Sequence, residues 1–193
     1  MTEQDIINLI KEDKWMMDIL KAARSLDLPD WMIGAGFVRN KVWDYLHGFE
    51  NKQVPTNDID LIYFNEENSD EKIDQKYSSR LEKQTGVNWE VINQARTHLW
   101  HNRPPYRNTE EALSEWVETP TCVAVRLEKD DALVFFAPHG IDDLVNLIVR
   151  PSPNNSDIKA YRERQEKKRW KEKWPKLKIL EQKFQKIFKK RKV

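Results

Sequence analysis

The 193 residues predict a fold of the α+β class, with helices flanking a small set of β-strands and a basic helical tail behind them. Three observations carry that reading. Apolar residues recur at helical spacing in the first 28 residues and again over 37–46. Short β-branched and aromatic runs, bounded by turn residues, follow. Charge is split along the chain: residues 156–193 hold 16 Lys and Arg against 5 Asp and Glu, whereas residues 1–155 hold 17 against 27. An acidic body therefore precedes a basic tail.

Element by element, Ile6, Ile7 and Ile10, then Met16, Met17, Leu20 and Ala23, predict helix over 1–28, stopped by Pro29-Asp30. Trp31-Met32-Ile33 predicts a short strand, and Gly34-Ala35-Gly36 a tight turn. Phe37, Val38, Val42, Tyr45 and Leu46 form a helical stripe that ends at His47-Gly48. After a loop over 49–57, the run from Asp58 to Phe64 predicts a buried strand. A charged helix is expected over 71–83 and a strand over 88–93. A short helix follows over 109–116, then a hairpin pairing 121–127 with 132–136. Residues 141–149 read as helix, and Pro151 and Pro153 close the body. The tail predicts a basic helix or a pair of helices, in which Trp170, Trp174, Leu177, Leu180, Phe184 and Ile187 step by three or four as one apolar stripe, with Pro175 as a kink or a new first turn. The organisation expected is a domain over 1–155 and a basic helical tail over 156–193.

Composition excludes several classes. Apolar residues are 39% and charged residues 34%, and no apolar run approaches the roughly 20 residues that span a bilayer. No membrane partner is expected. The N-terminus mixes acids into its apolar residues and shows no signal pattern. The single cysteine, Cys122, excludes an internal disulfide framework and a cysteine-rich zinc site. A cytoplasmic setting is expected on these grounds.

Asp58 and Asp60 carry the main chemical signal. In a strand, residues i and i+2 share a face, so their Cα atoms would stand roughly 7 Å apart with Ile59 and Leu61 directed to the opposite side. Two acids opposite a buried face make sense around a hard cation, because close like charges otherwise repel and raise a pKa. Oxygen ligands suit Mg²⁺. The alternative is a strand start with two solvated acids.

Upstream, strand, small-residue turn and helix N-terminus form a phosphate cradle, in which backbone N–H groups and the helix dipole face an anion. Gly34, Ala35 and Gly36 supply the close approach, and Arg39 in the first helical turn is a candidate phosphate contact. A dinucleotide fingerprint and a P-loop are both absent from this spacing.

The string Ile33-Gly34-Ala35-Gly36-Phe37-Val38-Arg39-Asn40, followed by Asn57-Asp58-Ile59-Asp60-Leu61, resembles the head signature of the DNA polymerase β superfamily. It is most similar to the form in CCA-adding enzymes and poly(A) polymerases. Ala35 stands where that pattern has glycine, and Asn40 where it has Asp. The chain also resembles stand-alone bacterial nucleotidyltransferase family proteins through Trp89-Glu90-Val91, Asn93-Gln94-Ala95-Arg96, Ala137-Pro138-His139-Gly140 and Arg150-Pro151, over about residues 31–151.

That resemblance implies a polymerase β-like nucleotidyltransferase fold with a mixed central sheet. It implies Mg²⁺-dependent transfer of a nucleoside monophosphate from an NTP to a hydroxyl acceptor, with two Mg²⁺ ions sharing Asp58 and Asp60. A third carboxylate on a neighbouring strand is implied too. Glu90 is the candidate, since alternation puts it on the face opposite Trp89 and Val91. Gly34 and Gly36 would place backbone donors at the phosphates. The acceptor, whether small molecule, RNA or protein, is left open.

Other groups carry weaker signals. Asp142-Asp143 fits a helix N-terminus. His98 and His101 have ligand spacing without a third ligand nearby in sequence. Arg96 is a phosphate or acceptor candidate, and Cys122 reads as a core residue. The tail has two readings: it grips nucleic acid, with Trp170 and Trp174 stacking on bases, or it docks its apolar stripe on the acidic body. The opposite charges and the stripe's need for burial favour docking. A protein of the same fold that binds nucleic acid or a toxin–antitoxin partner without catalysis is the alternative function.

Overall fold

The first helical segment is two helices. In the computed structural model, which describes residues 1–49, 58–68, 70–101, 103–155 and 157–180, α1 (Glu3–Lys11) and α2 (Lys14–Arg24) meet at Asp13. The Asp13 carboxylate interrupts the helical run because it caps the second helix, accepting from the Met16 amide at 3.1 Å. Its other oxygen holds Lys41 at 2.6 Å.

β1 (Met32–Gly34) leads through Ala35 into α3 (Gly36–His47), which ends at Gly48 in the left-handed conformation that a side chain would disfavour. β2 (Ile59–Tyr63), α4 (Glu71–Thr85) and β3 (Trp89–Asn93) form a β–α–β unit whose strands pair in parallel. A 3₁₀ segment (Gln94–His101) and α5 (Thr109–Ser114) follow. The hairpin is β4 (Ala124–Leu127) with β5 (Leu133–Phe136), antiparallel as expected, while residues 119–121 form a 3₁₀ turn.

The central sheet has the order β3-β2-β1-β4-β5. Only β2 and β3 run parallel, and the other neighbours are antiparallel, so the sheet is mixed. Its two faces differ. Ile33, Ile59, Leu61, Tyr63, Trp89, Val91 and Val125 face the main core, which takes in buried residues of all four N-terminal helices. Met32, Ile62 and Ala124 face the other way, under Leu113 of α5, Trp116 and Phe136. This second cover is small and leaves part of the sheet for chemistry.

The C-terminal part differs from expectation. Residues 141–149 are not one helix: α6 (Asp142–Val145) stops after one turn, Leu147 takes a positive φ of 58°, and β6 (Ile148–Val149) begins. In the tail, α7 (Ile158–Lys168) and α8 (Trp170–Lys173) meet at Arg169, and β7 (Lys178–Ile179) then pairs in parallel with β6. The stripe is therefore not a single helical face. Trp170, Trp174 and Leu177 are buried and Leu180 is exposed; Phe184 and Ile187 lie outside the described residues. Strand pairing with β6 outcompetes local helical spacing here, because it satisfies backbone groups of both segments.

Trp43 of α3 receives the tail, with Trp170 and Trp174 edge-on at centroid distances of 5.5 and 5.1 Å. Trp174 Nε1 donates to Asp44 at 2.7 Å, and the Lys176 amide donates to His47 Nε2 at 3.1 Å. With both tryptophans buried, the reading in which they stack on nucleobases is corrected. Their rings already have partners. Among the described residues, no helix is long and apolar enough to cross a membrane.

Candidate active site

Strand alternation and register build the acidic centre. Asp60 lies between buried Ile59 and Leu61, so it emerges on the opposite face. Parallel pairing sets Asp60 directly beside Glu90, which alternates in the same way between Trp89 and Val91. Asp58 lies just before β2 rather than within it and is exposed; Asp60 is half-buried and Glu90 exposed. Burial, then the charges of Asp58 and Glu90, push the Asp60 carboxyl up to about 7, against the opposing pull of Arg39 and Arg164. Among the described residues, no three His, Cys, Asp or Glu side chains are gathered tightly enough to cage a metal ion. The acids are electrostatic neighbours along an open face.

The turn between β1 and α3 borders the same centre. Gly34 is buried, and a Cβ built on it would stand 2.9 Å from the Trp116 ring. Ala35 takes φ 50° and ψ −118°, and its amide donates to Val123 O at 3.0 Å. The Ala35 donor is therefore already engaged. The first-turn backbone donors begin with Gly36, whose amide opens α3 and has no acceptor inside the helix.

Two cavities flank Trp116, and both reach Asp60 and Glu115. One, of about 230 Å³, is walled by Ala35, Thr121, Asn155 and Arg164. The other, of about 160 Å³, runs over Ile62 and Ile92 to Glu90 and has Trp100 and Tyr106 at its rim. Motif reading did not single out Glu115, Trp116, Thr121, Asn155 or Arg164. None belongs to a spaced pattern, and only folding brings them to Asp60.

Arg39 is placed otherwise than expected. It is 5% exposed, donates from Nη1 to Thr121 Oγ1 at 2.8 Å, and lies over the rings of Trp170 and Trp43 at 4.5 and 5.2 Å. Burial lowers its pKa to about 10. It stands behind Thr121 and is not among the described residues lining either cavity.

Several of the remaining candidates are engaged in contacts within the scaffold. Arg96 pairs with the buried Asp74, which also accepts from Tyr63 Oη at 2.6 Å and the Asn93 amide at 3.0 Å. Asp143 holds Arg150 at 2.8 Å and Thr119 Oγ1 at 2.6 Å. Cys122 is buried, and its thiol is pushed up to about 12 by that burial, which makes it a poor nucleophile. His139 and Ser152 converge on the Ser114 carbonyl, at 2.8 Å each, and tie the Ala137-Pro138-His139-Gly140 loop to α5. His98 packs against Tyr106, and the side chain of His101 lies outside the described residues.

The sequence profile of the family described as Nucleotidyltransferase matches residues 21–179. The chain belongs to the nucleotidyltransferase family. This nucleotidyltransferase is similar in structure to a protein whose NMR structure is described as revealing a CCA-adding enzyme head domain. The TM-score is 0.83 at 32% identity, covering 93% of this chain and 96% of the other. A CCA-adding enzyme in complex with ATP matches with a TM-score of 0.55 at 17% identity, over 90% of this chain and 42% of that one. The Thermotoga maritima CCA-adding enzyme complexed with tRNA matches with a TM-score of 0.55 at 17% identity, over 91% and 42%. The nucleotidyltransferase thus spans about two fifths of the length of these two enzymes, and shares their fold. No match was found among curated proteins.

Proposed function

We propose that this nucleotidyltransferase moves a nucleoside monophosphate from an NTP to an acceptor hydroxyl, with Asp58, Asp60 and Glu90 as the ligands of Mg²⁺. The observation that carries the reading is the register of Asp60 beside Glu90 on parallel strands, with Asp60 also lining the cavity that begins at the Ala35 turn. The donors suit the ion in kind, since Mg²⁺ prefers carboxylate oxygens, although the three acids lie along an open face and not in a closed cage. The ionised form of Asp60, opposed by burial and by the charges of Asp58 and Glu90, is favoured by a hard divalent cation with oxygen preference. When bound, Mg²⁺ would neutralise phosphate charge and lower the pKa of the acceptor hydroxyl.

The chain's own contribution is positioning. The amides at the start of α3, which follows Ala35 of the cavity wall, would offer the phosphates the positive end of the helix dipole. Trp116, seated on Gly34, divides the site into the two cavities. The nucleotide takes the polar cavity beside Ala35, and the acceptor takes the aromatic cavity beside Glu90. The CCA-adding enzymes solved with ATP and tRNA support an NTP as one substrate, and make an RNA end one of the acceptors to try.

The test is titration calorimetry of the pure protein with each NTP, with and without Mg²⁺, repeated on Asp58→Asn/Asp60→Asn. Mg²⁺-dependent binding that the double substitution abolishes is expected. Binding that ignores both the metal and the substitutions, alongside retention on RNA, would turn the reading toward a nucleic-acid-binding protein of the same fold.

A further inference from the structure

The cavity beside Ala35 needs a positive wall to hold a polyphosphate, and α7 supplies one. Among the described residues lining that cavity, Arg164 is the one cationic side chain. It is not loosely placed. Its Nε lies 2.9 Å from Oε1 and 3.1 Å from Oε2 of Glu118. Glu118 is fully buried, and Gln165, the next residue of α7, also donates to its Oε1 at 3.1 Å.

Burying a carboxylate is costly, and an ion pair at such depth seldom adds net stability over an apolar contact of the same size. What it does add is orientation. A guanidinium is a planar fork of five N–H donors matched to phosphate oxygens. Glu118 occupies the Nε edge, and the side chain remains 34% exposed on the cavity. The other guanidinium nearby, Arg39, is enclosed by Trp43 and Trp170 and engaged with Thr121 and Asn40. The amides of α3 contribute partial charge only, whereas a triphosphate carries several full charges.

Resting on the nucleotidyl-transfer reading, we propose that Arg164 is a phosphate-binding residue of the nucleotide site, and that Glu118 is the residue that positions it. The C-terminal segment then completes the active site, and its basic character is used at one defined point.

The experiment compares affinities of the full-length chain for NTPs, the matching NMPs and inorganic triphosphate, in Mg²⁺, for wild type, Arg164→Gln and Arg164→Lys. Arg164→Gln is expected to weaken NTP and inorganic triphosphate by about tenfold or more, the worth of a charge-assisted contact, and to lower the NTP-over-NMP affinity ratio. Arg164→Lys is expected to fall between, since a point charge replaces the fork. An unchanged NTP-over-NMP ratio in Arg164→Gln overturns the proposal, because a merely structural role weakens all ligands alike. Should Arg164→Gln not fold, Arg164→Lys decides: triphosphate affinity equal to wild type overturns the proposal, and a selective loss of triphosphate affinity supports it. Wild-type protein that binds no NTP at all would instead sink the transfer reading itself.

Discussion

The Arg39 guanidinium lies 4.5 Å from the centre of the Trp170 ring, so a residue of the β1–α3 motif is roofed by the C-terminal segment. Trp170 is 5% exposed and packs edge-on against Trp43, which is fully buried. The contact joins positions separated by most of the chain, and it bears directly on the role of the basic tail.

If the tail were an independent arm, truncating Trp170 would leave the body untouched. The packing says otherwise. Trp170→Ala is expected to destabilise the whole protein by about 3–5 kcal/mol, the usual cost of emptying a tryptophan site in a core. Urea denaturation followed by far-ultraviolet circular dichroism checks this. A midpoint unchanged from wild type would show that the tail is dispensable to the body.

Asp60 makes stability depend on pH. The folded-state pKa of Asp60, about 7, lies above the value of 3.8 for a free aspartate. Its protonated form suits the metal-free fold, so that contribution is complete below about pH 4 and is lost as pH rises through 7. Metal-free protein is therefore expected to melt at a lower temperature at pH 8 than at pH 5.5 on account of Asp60. Asp60→Asn should flatten this difference and raise the melting temperature at pH 8. Parallel pH profiles for wild type and Asp60→Asn, read by differential scanning calorimetry in a chelating buffer, would refute the assignment.

Neighbouring turn positions should respond in opposite directions. A methyl on Gly34 meets Trp116 at 2.9 Å, so Gly34→Ala is expected to cost about 1–3 kcal/mol and to disturb the near-ultraviolet signal of Trp116. Ala35 already holds a positive φ of 50°, which an L side chain adopts only under strain. Ala35→Gly is expected to stabilise the protein by about 1 kcal/mol, after allowing for the greater freedom of glycine in the unfolded chain. Thermal melts of the two variants, run together, distinguish the effects. The expectation fails if both shift the same way.

Much of the site was legible in the residues. Alternation in the Asp58–Phe64 run foretold that Asp60 would oppose Ile59 and Leu61, and the same logic placed Glu90 opposite Trp89 and Val91. The small-residue turn before a helical stripe marked the β1–α3 junction, although Ala35 rather than a glycine carries the strained torsion. Where reading failed, the causes were of two kinds. Asp13 split the first helix through a local cap on Met16, and residues 148–149 were drawn into pairing with the distant β7. Helical spacing over 170–180 described burial of the tryptophans but not the geometry that buries them.

By itself, then, the order of residues determined local matters: which segments form the strands of the central sheet, which side of β2 and β3 is acidic, and where a backbone can bend tightly. Those properties follow from torsional preference and from the two- and 3.6-residue periods of strands and helices. The tertiary structure alone decided that Asp60 and Glu90 are neighbours, that Arg39 is drawn beneath Trp170, and that Arg164 arrives at the cavity wall. Such pairings depend on distant segments burying shared surface and satisfying one another's polar groups, and no local period encodes them.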